Sequence, residues 1–176
     1  MIDQHLISLA IALQHIDKEV PRLQAWGLRA ASVLAAGGRL IACGSGTGAE
    51  QAGHLVTELG AAEDDRPPLA VATVPPGLDA DSYCRPGDVL LCLSAAGADA
   101  GIASAATTAG ELGVLTWALT GPAPNALAAA CADAICVDAA VTSTVEEVHL
   151  AALHILCAAL NSAVRDAIRA GRWMPV

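Results

Sequence analysis

The chain has 176 residues, with nine lysines and arginines against eighteen acidic residues. It is long enough to bury one sizeable core but short for two ordinary domains, and its net charge of −9 excludes a nucleic-acid surface built on clustered basic residues. It is 55% hydrophobic but only 2% aromatic, with no Phe. Ala, Leu, Val and Ile must therefore fill the core, which favours helices packed on a parallel sheet over a β-sandwich.

Residues 2–36 read as helical, with Leu6, Leu9, Leu13, Ile16, Val20 and Leu23 spaced three or four apart and Pro21 dividing the run into two helices. After Gly37-Gly38, "RLIACG" (39–44) reads as a strand feeding a glycine loop, and "AEQAGHLVTELG" (49–60) as a helix ending on glycine. Strands follow at 69–74 and 88–94, a helix at 100–113, a strand at 114–121, a brief helix at 125–132, a strand at 133–139, and a long helix from 143 to about 170. Strands alternating with helices imply right-handed crossovers and a parallel, doubly wound sheet. The expectation is one domain over 1–176, made of a helical segment (1–36) and an α/β core (37–176).

Nothing at the N-terminus resembles a basic region followed by an apolar run, and no stretch reaches roughly 18 uninterrupted apolar residues. A soluble cytoplasmic protein without membrane contact is expected. The six cysteines, Cys43, Cys84, Cys92, Cys131, Cys136 and Cys157, lie in apolar segments with no CxxC spacing and read as small buried hydrophobes in a reducing compartment. The long first and last helices carry more apolar surface than one small sheet covers, so a homo-oligomer, dimer or tetramer, is expected.

In such sheets, ligands bind beyond the carboxyl ends of the strands. "GSGTG" (44–48) offers glycine backbone and a helix N-terminus to an anion, which makes Ser45, Gly46 and Thr47 candidate ligand contacts. No acidic residue closes a second strand about 20 residues on, and no GK[ST] is present, so neither a dinucleotide nor a nucleoside triphosphate is supported. In "LSAAGADA" (93–100), Ser94 and Gly97 are further candidate contacts, while Asp99 suits the N-cap of the next helix. His54 and Glu58, at i and i+4, share one helix face, a spacing that serves metal ligation or a hydrogen-bonded pair equally. "STVE" (143–146) matches a capping box, in which Glu146 bonds back to the Ser143 N–H. His149 is rotated by roughly 140° from His154 on the same helix and reads as a packed or interface histidine. His5 and His15 fit a polar face or an oligomer contact. Schiff-base chemistry is set aside because the only lysine, Lys18, lies far from both loops, and serine-hydrolase chemistry because no GxSxG elbow occurs.

Three stretches, "GSGTGAEQAGHLVTELG", "RPGDVLLCLSAAG" and "STVEEVHLAALHIL", resemble the corresponding parts of the sugar-isomerase (SIS) domain family, specifically bacterial phosphoheptose isomerases, and the likeness runs from the helical N-terminus to the last helix. The resemblance implies a three-layer α/β/α sandwich with a five-stranded parallel sheet, a homotetramer, and isomerisation of sedoheptulose 7-phosphate to a heptose phosphate. It further implies that His54, Glu58, Glu146 and His154 hold a metal, zinc being suited to such donors, and that Glu58 and His154 are also the acid–base pair. Ketose–aldose interconversion moves a proton between adjacent carbons through an enediol, which calls for a carboxylate base, a second acid–base group and positive charge near the oxyanion.

The chain departs from the family at both loops. Ser45 and Gly48 replace the usual asparagine and serine, and Glu146 stands where the family usually has glutamine. Ala95, Ala96 and Ala98 lack the hydroxyls or amide that would hold phosphate, and Asp99 places a carboxylate where a serine is expected. Neither Arg66 nor Arg85 sits in a motif that compensates. The connection at 75–87 is shorter than in the family, which predicts a more open site. The other class of function these departures allow is a non-catalytic SIS module that binds a carbohydrate derivative or a protein partner, as in a related branch that serves as partner of the replication initiator.

Overall fold

The computed structural model describes residues 2–74 and 79–173, so part of the connection at 75–87 lies outside the described residues. In chain order the elements are α1 (Ile2–Asp17), α2 (Val20–Ala35), β1 (Leu40–Gly44), α3 (Thr47–Gly60), β2 (Val71–Thr73), α4 (Ala80–Tyr83), β3 (Val89–Ser94), α5 (Ala100–Glu111), β4 (Leu115–Thr120), α6 (Ala126–Ala130), β5 (Asp133–Cys136) and α7 (Thr142–Arg169). The five strands form one parallel sheet in the order β2-β1-β3-β4-β5. This is the α/β fold expected from the alternation of strands and helices.

Period-two alternation decides which side chain meets which helix layer. Leu40, Ala42, Leu91, Leu93, Trp117 and Leu119 face one side, where they pack with residues of α1, α2, α3 and α7. Ile41, Leu90, Cys92 and Ala118 face the other, against α5, α6 and Cys84. Both faces are covered, which is why β3 reads as an unbroken apolar run, "VLLCLS", buried at every position. Leu23, Leu55 and Leu153 have no exposed surface, and burying each side chain contributes about 1.5–3 kcal/mol. Trp26 of α2 stacks on Trp117 of β4, with centroids 4.8 Å apart and planes 4° from parallel, and its indole N–H donates to Asp133 at 2.7 Å.

The break between the first two helices falls at Lys18-Glu19, and Pro21 sits in the first turn of α2, where a missing N–H costs nothing. Strand β2 covers only Val71–Thr73 of the predicted 69–74, and β5 stops at Cys136 rather than 139. Both are edge strands with a single partner, so their ends run on as loop. At the opposite end of the sheet from the loops, Asp88 is 3% exposed and accepts from the Arg39 N–H (2.8 Å), the Arg39 guanidinium (2.6 Å) and the Arg85 N–H (2.9 Å). Burial alone would raise its pKa, but these hydrogen bonds outweigh it and hold the carboxyl below its usual value.

Helix α7 is the one described helix long and apolar enough to cross a membrane by composition. Half of its most apolar window is buried, and its buried residues, among them Val148, Leu153, Leu156 and Leu160, belong to the core shared with α2 and the sheet. It is a core helix.

Candidate active site

The strand order places the site. β1 is followed by α3, which packs on one face of the sheet, and its neighbour β3 by α5, which packs on the other. The two connections diverge at the carboxyl ends of these strands, the position where such sheets open a crevice. Gly46 caps α3 with φ of +55°, a backbone conformation that side chains disfavour. A Cβ on Gly48 would lie 2.3 Å from the Leu93 carbonyl oxygen, so glycine there lets α3 start hard against β3. Helix α3 therefore begins at Thr47, two residues before the predicted start.

One face of α3 meets α7. His54 Nε2 lies 3.0 Å from His154 Nε2, and the two rings are nearly perpendicular at 75°. Glu58 Oε2 is 3.4 Å from His54 Nε2 and 3.8 Å from His154 Nε2. Side chains distant in sequence thus converge, with their ligand atoms all within 4.8 Å of one another, as a group able to hold a metal ion. In a tetrahedral zinc site two imidazole nitrogens stand about 3.3 Å apart, so a few tenths of an ångström of opening would fit the trio to the ion. Behind the trio, the Cys157 thiol, three residues after His154, donates to Glu58; burial first and then the carboxylate push its pKa up to about 12. Read from the sequence, Cys157 was only a core residue, since nothing local reveals that the turn facing α3 points it at Glu58.

Beside His54 lies a cavity of about 450 Å³ whose lining includes Thr47, Gln51, Ser143 and Glu146. Glu146 faces this cavity but is not a member of the close trio. The expected capping box is absent: α7 starts at Thr142 behind Val141, with no side-chain cap. The helix starts two residues earlier than the motif requires, with Val141 rather than Ser143 at the N-cap, and what anchors this turn is the Gln51 amide donating to the Glu146 carbonyl at 2.7 Å.

The second loop is closed on itself. The Ser94 hydroxyl, buried, accepts from the Gly97 N–H at 3.2 Å. The Asp99 carboxylate caps α5 by accepting from the N–H groups of Gly101 (3.0 Å) and Ile102 (3.1 Å), and it also accepts from the Ser45 hydroxyl. The bond from Ile102, then that from Ser45, hold its pKa below the usual value. The two glycine loops therefore meet through Ser45 and Asp99, a contact the sequence did not disclose.

The remaining candidates lie elsewhere. His149 is 1% exposed, and burial lowers its pKa to about 4 despite a hydrogen bond with the Thr120 backbone. It is the packed histidine that its helical phase predicted. His5 sits 3.1 Å from Glu147 and His15 is exposed on α1. The Arg66 guanidinium is buried against the Leu59 and Pro67 carbonyls and pairs with Glu63 at 2.7 Å, away from both loops.

A doubly wound parallel sheet with a histidine–carboxylate–histidine group above its crevice defines an α/β domain of the sugar-isomerase kind. No protein-family model matches the chain. A phosphoheptose isomerase of Streptomyces coelicolor is 41% identical over 179 aligned positions, covering 91% of this chain and 78% of the relative. A probable phosphoheptose isomerase of Thermoplasma volcanium is 30% identical, covering 87% and 84%. Among solved structures, a phosphoheptose isomerase from Francisella tularensis superposes with a TM-score of 0.80 over 92% of this chain and 96% of its own, at 23% identity. One from Neisseria gonorrhoeae gives 0.78 over 92% and 97%, also at 23% identity. The chain belongs to the phosphoheptose isomerase family of SIS-domain proteins.

Proposed function

We propose that the chain is an aldose–ketose isomerase of the phosphoheptose type, a single SIS domain over 1–176 that interconverts sedoheptulose 7-phosphate and a heptose phosphate. The observation that carries this reading is the convergence of His54, Glu58 and His154 at 3.0–3.8 Å beyond the sheet, supported by relatives of that name across most of the chain. Glu58 takes a proton from the carbon next to the ketose carbonyl as the enediol forms, and returns it to the neighbouring carbon. His154 shuttles the hydroxyl proton between the two oxygens. The Cys157 thiol holds the Glu58 carboxylate in place. His54, Glu58 and His154, with Glu146 from the cavity wall, would hold zinc, which supplies positive charge to the oxyanion of the enediol.

The substrate phosphate is held weakly, because Asp99 already occupies the N–H groups of α5 and the Ser45 hydroxyl. The assembly is a cytoplasmic homo-oligomer, dimer or tetramer. Leu6, Ile7 and Ile11 of α1, Leu28 of α2 and Leu150 of α7 are exposed apolar residues that a second copy would cover.

The test is a coupled assay of sedoheptulose 7-phosphate turnover with and without added zinc, beside metal analysis of the purified protein. Turnover that rises with zinc and disappears in Glu58→Gln and His154→Ala supports the reading; no turnover with any metal removes it. The self-satisfied second loop is the observation that favours the other reading, a non-catalytic SIS module binding a carbohydrate derivative or a protein partner. That reading leads if sugar phosphates give no thermal stabilisation and a stoichiometric protein partner is recovered.

A further inference from the structure

On the face of the sheet remote from the trio, three thiols form a row. Cys43 of β1 and Cys92 of β3 are register partners on neighbouring parallel strands, with Sγ atoms 3.6 Å apart. Cys131, the residue that ends α6, packs against the cluster that contains Cys92. All three belong to the same core cluster. Cys92 is fully buried, whereas Cys43 and Cys131 are partly exposed. Neighbouring strands lie about 4.8 Å apart, inside the Cα separation that a disulfide spans, and closing one needs the sulfurs to approach by about 1.5 Å.

We propose that Cys43, Cys92 and Cys131 form an oxidation site at which hydrogen peroxide drives an intramolecular disulfide, with Cys92 as the shared partner. Cys131 is the entry point, being partly exposed and packed against the cluster of the buried Cys92; the neighbouring Cys92 and Thr116 side chains lower its pKa. Its sulfur attacks the peroxide; the O–O bond breaks, the sulfur is oxidised to a sulfenic acid and one water leaves. Cys92 then attacks that sulfur, the S–S bond forms, and the hydroxyl leaves with the Cys92 proton as a second water. Two thiols are oxidised by two electrons while one peroxide is reduced to two waters. Exchange with Cys43 moves the bond to Cys43–Cys92 and returns Cys131 to the thiol. That bond would tie together the strands carrying both glycine loops, since Cys43 lies two residues before Ser45 and Cys92 two before Ser94.

The test does not depend on any enzymatic activity. The full chain is treated with a small excess of hydrogen peroxide, blocked with an alkylating agent, denatured and titrated for thiols, with linked peptides mapped by mass spectrometry. The six thiols are expected to fall by two, with a mass loss of two hydrogen atoms, a linked peptide containing Cys92, and full recovery on reduction. Cys136→Ala should behave as the unsubstituted chain, and Cys92→Ala should retain its remaining thiols. Should Cys92→Ala fail to fold, Cys131→Ala is used instead, and there oxidation should slow by about tenfold or more, with any bond formed joining Cys43 to Cys92. Retention of all six thiols, linked peptides lacking Cys92, or unchanged oxidation in Cys92→Ala or at the same rate in Cys131→Ala, overturns the proposal.

Discussion

The His54–Glu58–His154 trio and the Ser94–Asp99 loop sit at the ends of adjacent structural units, yet they treat polar groups in opposite ways. In the trio, two imidazole nitrogens and a carboxylate oxygen face one another at 3.0–3.8 Å, leaving a focus that a cation or a substrate proton can enter. In the loop, the Ser94 hydroxyl, the Ser45 hydroxyl and the first N–H groups of α5 are already engaged by partners within the chain. The trio proposed to move protons and the loop proposed to seat an anion can therefore diverge separately within one fold, because the first depends on the facing of α3 and α7 and the second on the junction of β3 with α5.

The contrast can be broken most sharply at the trio. Glu58→Gln removes the proposed base while keeping its shape, and turnover should fall by about 10²–10⁴-fold with unchanged thermal unfolding. A loss confined to stability would show the trio to be structural. The second largest effect sets the exposed His154 against the buried His149, five residues earlier on the same helix. The folded-state pKa of His149, about 4, lies below the ordinary 6.5, so between these values the unfolded chain binds more protons than the native one. Its contribution is complete above pH 6.5 and is lost as pH falls toward 4, an effect of about 3 kcal/mol in chemical denaturation. His149→Gln should flatten that slope, whereas His154→Gln should leave it in place.

At the loop, Asp99→Ser removes a carboxylate from beside the anion seat and leaves a hydroxyl that still caps α5. The KM for a sugar phosphate should drop by roughly tenfold, the lower part of the range that repulsion at a protein surface spans, while stability changes by less than about 1 kcal/mol. An unchanged KM would mean that the phosphate never approaches α5. The smallest effect is expected at Cys157→Ala, which takes one hydrogen bond from Glu58; kcat should fall by about threefold to tenfold with KM unchanged, as a group that acts only through the carboxylate should behave.

Legibility in the sequence followed the range of the forces involved. Local periodicity was enough for the five strands and for every described helix but α4, a single turn inside the connection read as loop, and the i, i+4 spacing was enough to pair His54 with Glu58. The meeting of α3 with α7, which brings His154 to that pair, entered through resemblance, since helical spacing carries no information about a partner helix a hundred residues away. The capping box at "STVE" failed because a short motif fixes a helix start only when tertiary contacts agree; the Gln51 amide on the Glu146 carbonyl and a start at Thr142 prevailed. The N-cap at Asp99 was readable, but its further contact, with Ser45, crosses between loops and was not. The thiol group escaped for the same reason: Cys43 and Cys92 are neighbours only through strand register, and Cys131 joins them only because the end of α6 packs on that face of the sheet.

The parallel indoles of Trp26 and Trp117 also supply a built-in reporter. Stacked chromophores 4.8 Å apart couple their electronic transitions, and this pair joins the second helix to the fourth strand, segments that meet only once most of the intervening chain is in place. Its circular-dichroism couplet would therefore register the docking of the helical layer directly, separately from backbone helicity and undisturbed by chemistry at the histidines.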